Sequence, residues 1–425
     1  MVLLAGTILL CLPALINGYP FITPDSFAYV DWGRLLVHAL FSNPGQCGEL
    51  PVRSVGYTLA ILPLHWEHTL WPIAGGQALA TVGWITFTAS RLCPQAGPAP
   101  HLALLCGLLL LTPVAAVCTC ISPDIFTAFT ILGLFWLGPG CIKQSRHSRN
   151  ALIALTAFAI TTHGSNWLLA LLMIGVEQLR RRRWQSLMLA AFLLASGTQV
   201  GLHLWLYGRP LLFAPHPPFL LAREVEDGLV SRYLNKSPEA RNFVIYKYRD
   251  KLPEKVDDFL WTPSGLRGVL ENSGGHDWWQ ISQQEGALVA RIVIEYPQAQ
   301  LACSWKNWIA QMASFDLQAL CPHGTSLFKV TLPKLGQACE DTLQAQGHIP
   351  YAEISNWQLL VVLLAIGGLV PLRKCRHRLG TLAAWVMLGV VLNAAICGVL
   401  VEPDGRYQAR VIWLIPFVVL LQLMV

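Results

Sequence analysis

An all-α polytopic membrane protein with about ten transmembrane helices is the fold class this sequence predicts, and three observations predict it. The 425 residues are 54% hydrophobic and only 13% charged, with a mean hydropathy of +0.48, whereas soluble domains carry roughly 25% charged residues. Apolar runs long enough to cross about 30 Å of hydrocarbon recur along the chain. Lys and Arg gather between alternate pairs of those runs, as the positive-inside rule requires.

The elements follow in order. The first run, 1 to 18 (MVLLAGTILLCLPALING), has no basic leading segment and no small-residue cleavage site ahead of soluble sequence, so it reads as a retained helix rather than a signal peptide. The first external loop, 19 to 72, holds two interfacial helices. Asp25 to Ser42 has helical spacing, with Tyr29, Trp32, Leu36 and Leu40 on one stripe and Asp31, Arg34 and His38 on another. SVGYTLAILPLHW, 54 to 66, is apolar but too short to span. Further runs lie at 73 to 91, 102 to 121, 124 to 141, 150 to 163, 165 to 179 and 186 to 207, then at 356 to 372, 380 to 400 and 409 to 425. Arg91, the Lys143/Arg146/Arg149 group, Arg180 to Arg183 and the Arg373/Lys374/Arg376/Arg378 group fall on one side, which makes both termini cytoplasmic. These inner loops account for the net charge of +6, and no nucleic-acid partner is expected.

Three domains result: an N-terminal transmembrane module (1 to 207), an extracytoplasmic insert (208 to 355) and C-terminal transmembrane helices (356 to 425). The insert has the charge density of a soluble domain, turn signals at TPSG and NSGG, and helix-like segments at 237 to 252 and 283 to 315, so it reads as small and mainly helical. Its DWW (277 to 279) and WKNW (305 to 308) clusters suit either sugar stacking or packing and membrane-interface anchoring. The twelve cysteines form no zinc-like pattern. Cys47, Cys303, Cys321 and Cys339 fall on the outer side, where a bond such as Cys321 to Cys339 and free buried thiols are equally compatible with the sequence.

Everything chemically reactive opens on that outer side. Asp25 follows Thr23 and Pro24, a helix start in which an acid simply complements the helix dipole; the same carboxylate at a membrane surface would also serve as a general base. ISPDIFTAF puts Asp124 at the mouth of a helical hairpin, THGSN puts His163 at the next, and EPDGRYQAR puts Arg406, Tyr407 and Arg410 at the last. Each alone has an ordinary anchoring or capping explanation. Together they supply two carboxylates and several cations, which is what transfer from a lipid-phosphate donor needs: a base for the acceptor and a clamp for the departing phosphate.

On the order apolar helix, PDSFAY, RSVGY, SPD before a helix, a TH turn and a late RY loop, the chain resembles the GT-C superfamily of integral membrane glycosyltransferases, in particular the bacterial aminoarabinose transferase and protein O-mannosyltransferase-like branch. The resemblance covers the transmembrane portion. It implies Asp25 as catalytic base, Asp124 as the second-loop acid, Arg53, His163, Arg406 and Arg410 as donor-phosphate ligands, and Tyr29, Tyr57 and Tyr407 as substrate-binding residues. It also implies a polyprenyl-phosphate-sugar donor, membrane lipids as surroundings, an unidentified glycan, lipid or protein acceptor, inversion at the anomeric carbon, and a bacterial inner membrane with the site facing the periplasm. Metal-using members hold a divalent cation with the second-loop acid, but PDSF replaces the paired acids found in many of them, and no cofactor is firmly expected. His163 stands where the aminoarabinose branch commonly has Lys, which makes phosphate binding there sensitive to pH. A transporter or flippase of an anionic or lipid-linked solute, and a non-catalytic assembly protein on the same scaffold, are the alternatives.

Overall fold

The computed structural model describes residues 1–42, 54–141, 145–182, 184–272, 274–317, 328, 331–369 and 377–424. Arg53, Cys47, Cys321, Lys143, Arg183 and the 373–376 basic group lie outside the described residues. Among the described residues the chain is all-helical, 78% helix in 21 helices with no strand.

The helices are α1 Val2–Asn17, α2 Ser26–Ser42, α3 Val55–His65, α4 Trp71–Leu92, α5 Pro98–Leu111, α6 Val114–Thr119, α7 Ile125–Leu137, α8 Arg146–Thr161, α9 Gly164–Arg181 and α10 Ser186–Tyr207; then α11 Phe219–Glu226, α12 Leu229–Lys236, α13 Val256–Leu260, α14 Leu266–Asn272, α15 His276–Glu295 and α16 Pro297–Ala313; and finally α17 Pro333–Glu340, α18 Tyr351–Leu369, α19 His377–Leu400, α20 Gly405–Ile412 and α21 Leu414–Gln422. Both expected interfacial segments are helices, and the expected spans coincide with helices or pairs of helices.

The pairs have proline at their breaks. The 102 to 121 run divides into α5 and α6 at Thr112–Pro113 because proline offers no N–H and forces the residue before it out of helical geometry. The 283 to 315 segment divides into α15 and α16 at Tyr296–Pro297 for the same reason. The last run divides at Trp413, where Pro416 in the first turn of α21 removes the N–H that would have bonded the Ile412 carbonyl. The 237 to 252 segment forms two 3₁₀ helices, Pro238–Asn242 and Val244–Lys251, rather than an α-helix.

Three of the described helices are long and apolar enough to cross a membrane: Ser186–Tyr207, Tyr351–Leu369 and Arg378–Leu400. Val2–Asn17, Val55–His65, Pro98–Leu111 and Ile125–Leu137 are apolar but shorter. The expected count of about ten spans is therefore met only in part: several of the other helices are too short, and α4 and α9, with 22 and 18 residues, are long enough but not apolar enough.

The chain forms two compact units. The first comprises Met1–Ala214, Phe315–Asn393 and Gly405–Val425; the second comprises Pro215–Ser314 with Ala394–Asp404. The second unit is thus shorter than the 208 to 355 insert read from the sequence, because the later part of that segment packs on residues of the 19–72 segment. Phe328, Leu332, Leu335 and Cys339 share a core with Tyr19, Ile22, Tyr29, Tyr57 and Ile121. The Gln344 amide brackets Ile22, accepting from its N–H at 3.2 Å and donating to its carbonyl at 2.6 Å, while the Leu343 and Gln344 N–H groups donate to Asn17.

In the second unit, α11 to α15 close over Leu221, Tyr233, Phe259, Trp278 and Ile292. Trp278 of the DWW cluster is fully buried there, which makes it a core residue and removes it from the surface available for sugar stacking. Cys303 and Cys339 are free thiols.

Candidate functional site

In the first unit the turns that carry Asp25 and Asp124 converge, and backbone pairing is what joins them. The Ile121 N–H donates to the Phe21 carbonyl at 2.9 Å, forming an isolated parallel bridge between Phe21 and Cys120. Ser26 Oγ donates to the Ile121 carbonyl at 2.7 Å and accepts from the Thr23 N–H at 2.8 Å. Ser26 thus closes the turn that carries Asp25. The residues around Asp25 are thereby laid along the SPD turn that carries Asp124.

Arg406 lies between the two carboxylates. Its Nη2 donates to Asp25 Oδ2 at 3.0 Å, and its Nε stands 3.7 Å from Asp124 Oδ2, an ion pair beyond hydrogen-bonding range. Arg410, one helical turn further along α20, places Nη1 3.4 Å from Asp124 Oδ1. Ser122 Oγ donates to Asp124 Oδ2 at 2.8 Å. The turn before α20 is tight enough to require glycine: a Cβ on Gly405 would come within 2.6 Å of the Asp316 carbonyl oxygen.

Burial separates the two arginines. The Arg406 and Asp25 side chains keep 15% and 13% exposure, while Arg410 has none. The Arg410 guanidinium is also occupied by Asn393 Oδ1, at 2.8 and 3.2 Å, and by Ser165 Oγ at 2.9 Å. Asn393 is itself held by donating to the Tyr407 carbonyl at 2.7 Å and to Gln408 Oε1 at 2.9 Å. The Tyr407 ring lies 5.1 Å from the Arg406 guanidinium carbon and 5.5 Å from that of Arg410, within cation–π range of both.

Asp124 sits in the turn ahead of α7. Burial alone would raise its carboxyl, but Arg406 and Arg410 outweigh that and hold it below the ordinary value. His163 caps α9 by accepting the Ser165 N–H at Nδ1, 3.2 Å away, and Ser165 Oγ lies 2.8 Å from the same nitrogen. Burial, followed by the charge of Arg410, lowers the imidazole to about 3. His163 is therefore neutral near neutrality, and it contributes an acceptor rather than the pH-dependent cation expected from the sequence.

Tyr29 and Tyr57 are 3% and 1% exposed and meet edge to face at 5.1 Å. The Tyr57 hydroxyl donates to Gln77 Oε1 at 2.8 Å, and Gln77 Nε2 donates to the carbonyls of Cys118 at 3.0 Å and Cys120 at 2.8 Å. The two tyrosines thus support the strand of chain entering the SPD turn from behind, rather than lining an open surface. Gln77 and Asn393 had no sequence signal, and Ser122 and Ser165 stood in the SPD and THGSN turns without an assigned role, since each is a common polar residue whose role comes from its position in the fold.

A recess beside the cluster is lined by Val117, Cys120, Ser122, Asp124, Leu317, Arg406 and Ala409, and it has room for about one water molecule. A divalent cation does not fit the residues present. Asp25 and Asp124 share Arg406 between them, and no group of three His, Cys, Asp or Glu converges among the described residues. No family model, curated protein or solved structure matches the chain.

Proposed function

We propose that this protein is an integral membrane glycosyltransferase of the GT-C type, moving a sugar from a polyprenyl-phosphate carrier to an acceptor hydroxyl on the outer face of a bacterial inner membrane. The observation that carries the reading is Arg406 shared between Asp25 and Asp124, residues from three separated turns of the chain. A reaction with an anionic leaving group needs an accessible guanidinium beside an accessible carboxylate, and Arg406 and Asp25 are the partly exposed members of the cluster. The three full-length apolar helices and the outward-facing Leu363 and Leu364 of α18 accord with a lipid setting; the ten-span topology with both termini inside belongs to the same proposal.

In the reaction, donor phosphate competes with Asp25 for Arg406. Asp25, released from that ion pair, takes the proton from the acceptor hydroxyl. The hydroxyl oxygen bonds to the anomeric carbon as the bond from that carbon to the phosphate oxygen breaks, inverting the centre. The polyprenyl phosphate leaves as an anion on Arg406 and needs no general acid. Arg410 is a positioning residue here, since its buried guanidinium fixes Asp124 and the α9 turn.

The test is transfer in proteoliposomes containing a polyprenyl-phosphate sugar, with wild type beside Asp25→Asn. Loss of transfer in a folded variant that still co-purifies donor by native mass spectrometry, at least as strongly as the wild type because asparagine no longer competes for Arg406, is the expected result. Near-normal turnover in the variant removes Asp25 from the chemistry. Solute flux that survives Asp25→Asn would favour transport instead.

A further inference from the structure

Helix α16 is built inside out for a soluble unit. Asn307 and Gln311 are 4% and 0% exposed, while Leu301, Trp305 and Ile309, at successive turns on the far side, are 71%, 58% and 50% exposed. Water-facing helices of soluble domains show the reverse pattern, with the apolar stripe inward. The inward polar face has a definite partner within the same unit. Gly398 packs so closely on α16 that a Cβ there would lie 2.6 Å from the Asn307 carbonyl oxygen. The Gln311 amide clasps the loop that follows, donating to the Asp404 carbonyl at 2.8 Å and accepting its N–H at 3.0 Å.

Gly398 lies in the last turn of Arg378–Leu400, an apolar helix long enough to cross a membrane. The end of such a helix sits where hydrocarbon gives way to headgroups, so the contact places α16 at that depth. The exposed face matches the chemistry found there. Trp305 and Trp308 meet edge to face at 5.0 Å, and Lys306 is the one ionisable side chain on α16 besides the Cys303 thiol. Tryptophan and snorkelling lysine are the residues that occupy a membrane interface, and the absence of any acidic residue on this helix suits anionic headgroups.

We infer that α16 is an interfacial anchor whose Leu301/Trp305/Ile309 face enters one leaflet of the bilayer and fixes the second unit to the membrane surface. The inference is independent of the glycosyltransferase reading.

The experiment uses the full-length protein in lipid nanodiscs with a phospholipid carrying a photoactivatable diazirine near the glycerol end of its acyl chain, and adducts are mapped by mass spectrometry. Adducts on Leu301, Trp305 or Ile309, together with adducts on 378–400, are the expected result, with loss of the α16 adducts in Leu301→Glu/Ile309→Glu while those on 378–400 persist. Labelling of 378–400 alone overturns the inference, as does the lack of lipid adducts on both. Chemical crosslinks from α16 to a second copy or another protein in place of lipid adducts overturn it as well. A pair variant that fails to fold is replaced by Trp305→Gln, for which reduced α16 labelling is expected and unchanged labelling counts against the inference.

Discussion

Replacing Arg410 with methionine tests the buried charge network most directly. Arg410 is fully buried and Asp124 nearly so, and Arg410 also satisfies Asn393 Oδ1 twice and Ser165 Oγ once. Removing one member of a buried pair costs about 3–5 kcal/mol, because the partner is left charged in a poor solvent. Here Asp124 retains Arg406 at 3.7 Å and the Ser122 hydroxyl, so the lower end, about 3 kcal/mol, is the expected loss. The sign with pH follows from the competing causes. In the wild type the arginines outweigh burial and keep Asp124 below its unfolded value, so its contribution is present above that value and is lost only as pH falls through the lower folded one. In Arg410→Met one of the two cations that oppose burial is gone, so the folded carboxyl rises from its wild-type value and the stability it contributes at higher pH shrinks. Thermal melting in detergent should therefore show a variant that falls further behind the wild type at about pH 7 than at about pH 4. A constant gap between the two curves across that range, or a loss below about 1 kcal/mol, would refute the account of a buried pair whose burial cost is offset by two cations.

Two further outcomes are expected. Tyr57→Phe leaves Gln77 Oε1 without its donor and should cost about 1–3 kcal/mol in the same melting assay; a change under about 0.5 kcal/mol, the size of an ordinary surface substitution, would remove Tyr57 from the support of the SPD turn. In the loop after α19, burial, and then the negative charges of Asp257 and Glu226, push Glu402 up to about 7. A raised carboxyl contributes most below its unfolded value and loses that contribution as pH rises through the folded one, so Glu402→Gln should match the wild type at about pH 4 and exceed it at about pH 8. Parallel melting curves over that interval would show that Glu402 titrates alike in the folded and unfolded states and that burial does not raise it.

Much of the site was legible as a set of positions. Asp124, His163 and Arg406 stand beside Pro or Gly at the ends of apolar runs, and those breakers mark helix mouths wherever the chain folds. Their relations were not legible. Nothing local to Arg406 shows that it bonds a carboxylate 381 positions away, and nothing in Arg410 shows that it is enclosed while Arg406 is not. The His163 charge state was not legible because an imidazole's ionisation is set by burial and by the neighbouring Arg410, both of which are products of packing. The burial of Tyr29 and Tyr57 was not legible for a related reason: an aromatic with a hydroxyl suits a ligand surface and a satisfied core equally well.

By itself the sequence determined the helical class and the places of the main apolar helices, because hydropathy and capping act over a few residues, while the breaks at Pro113 and Pro297 were carried by local proline geometry but read through as continuous runs. Tertiary structure alone decided that Phe21 pairs with Cys120, that Arg406 bridges Asp25 and Asp124, that residues 331–345 join the 19–72 segment, and that α16 turns its amides inward and Trp305 outward. The division follows from range. Backbone preference is paid residue by residue along the chain, whereas burial and ion pairing depend on which distant segments share a volume, and that is set only when the helices have packed.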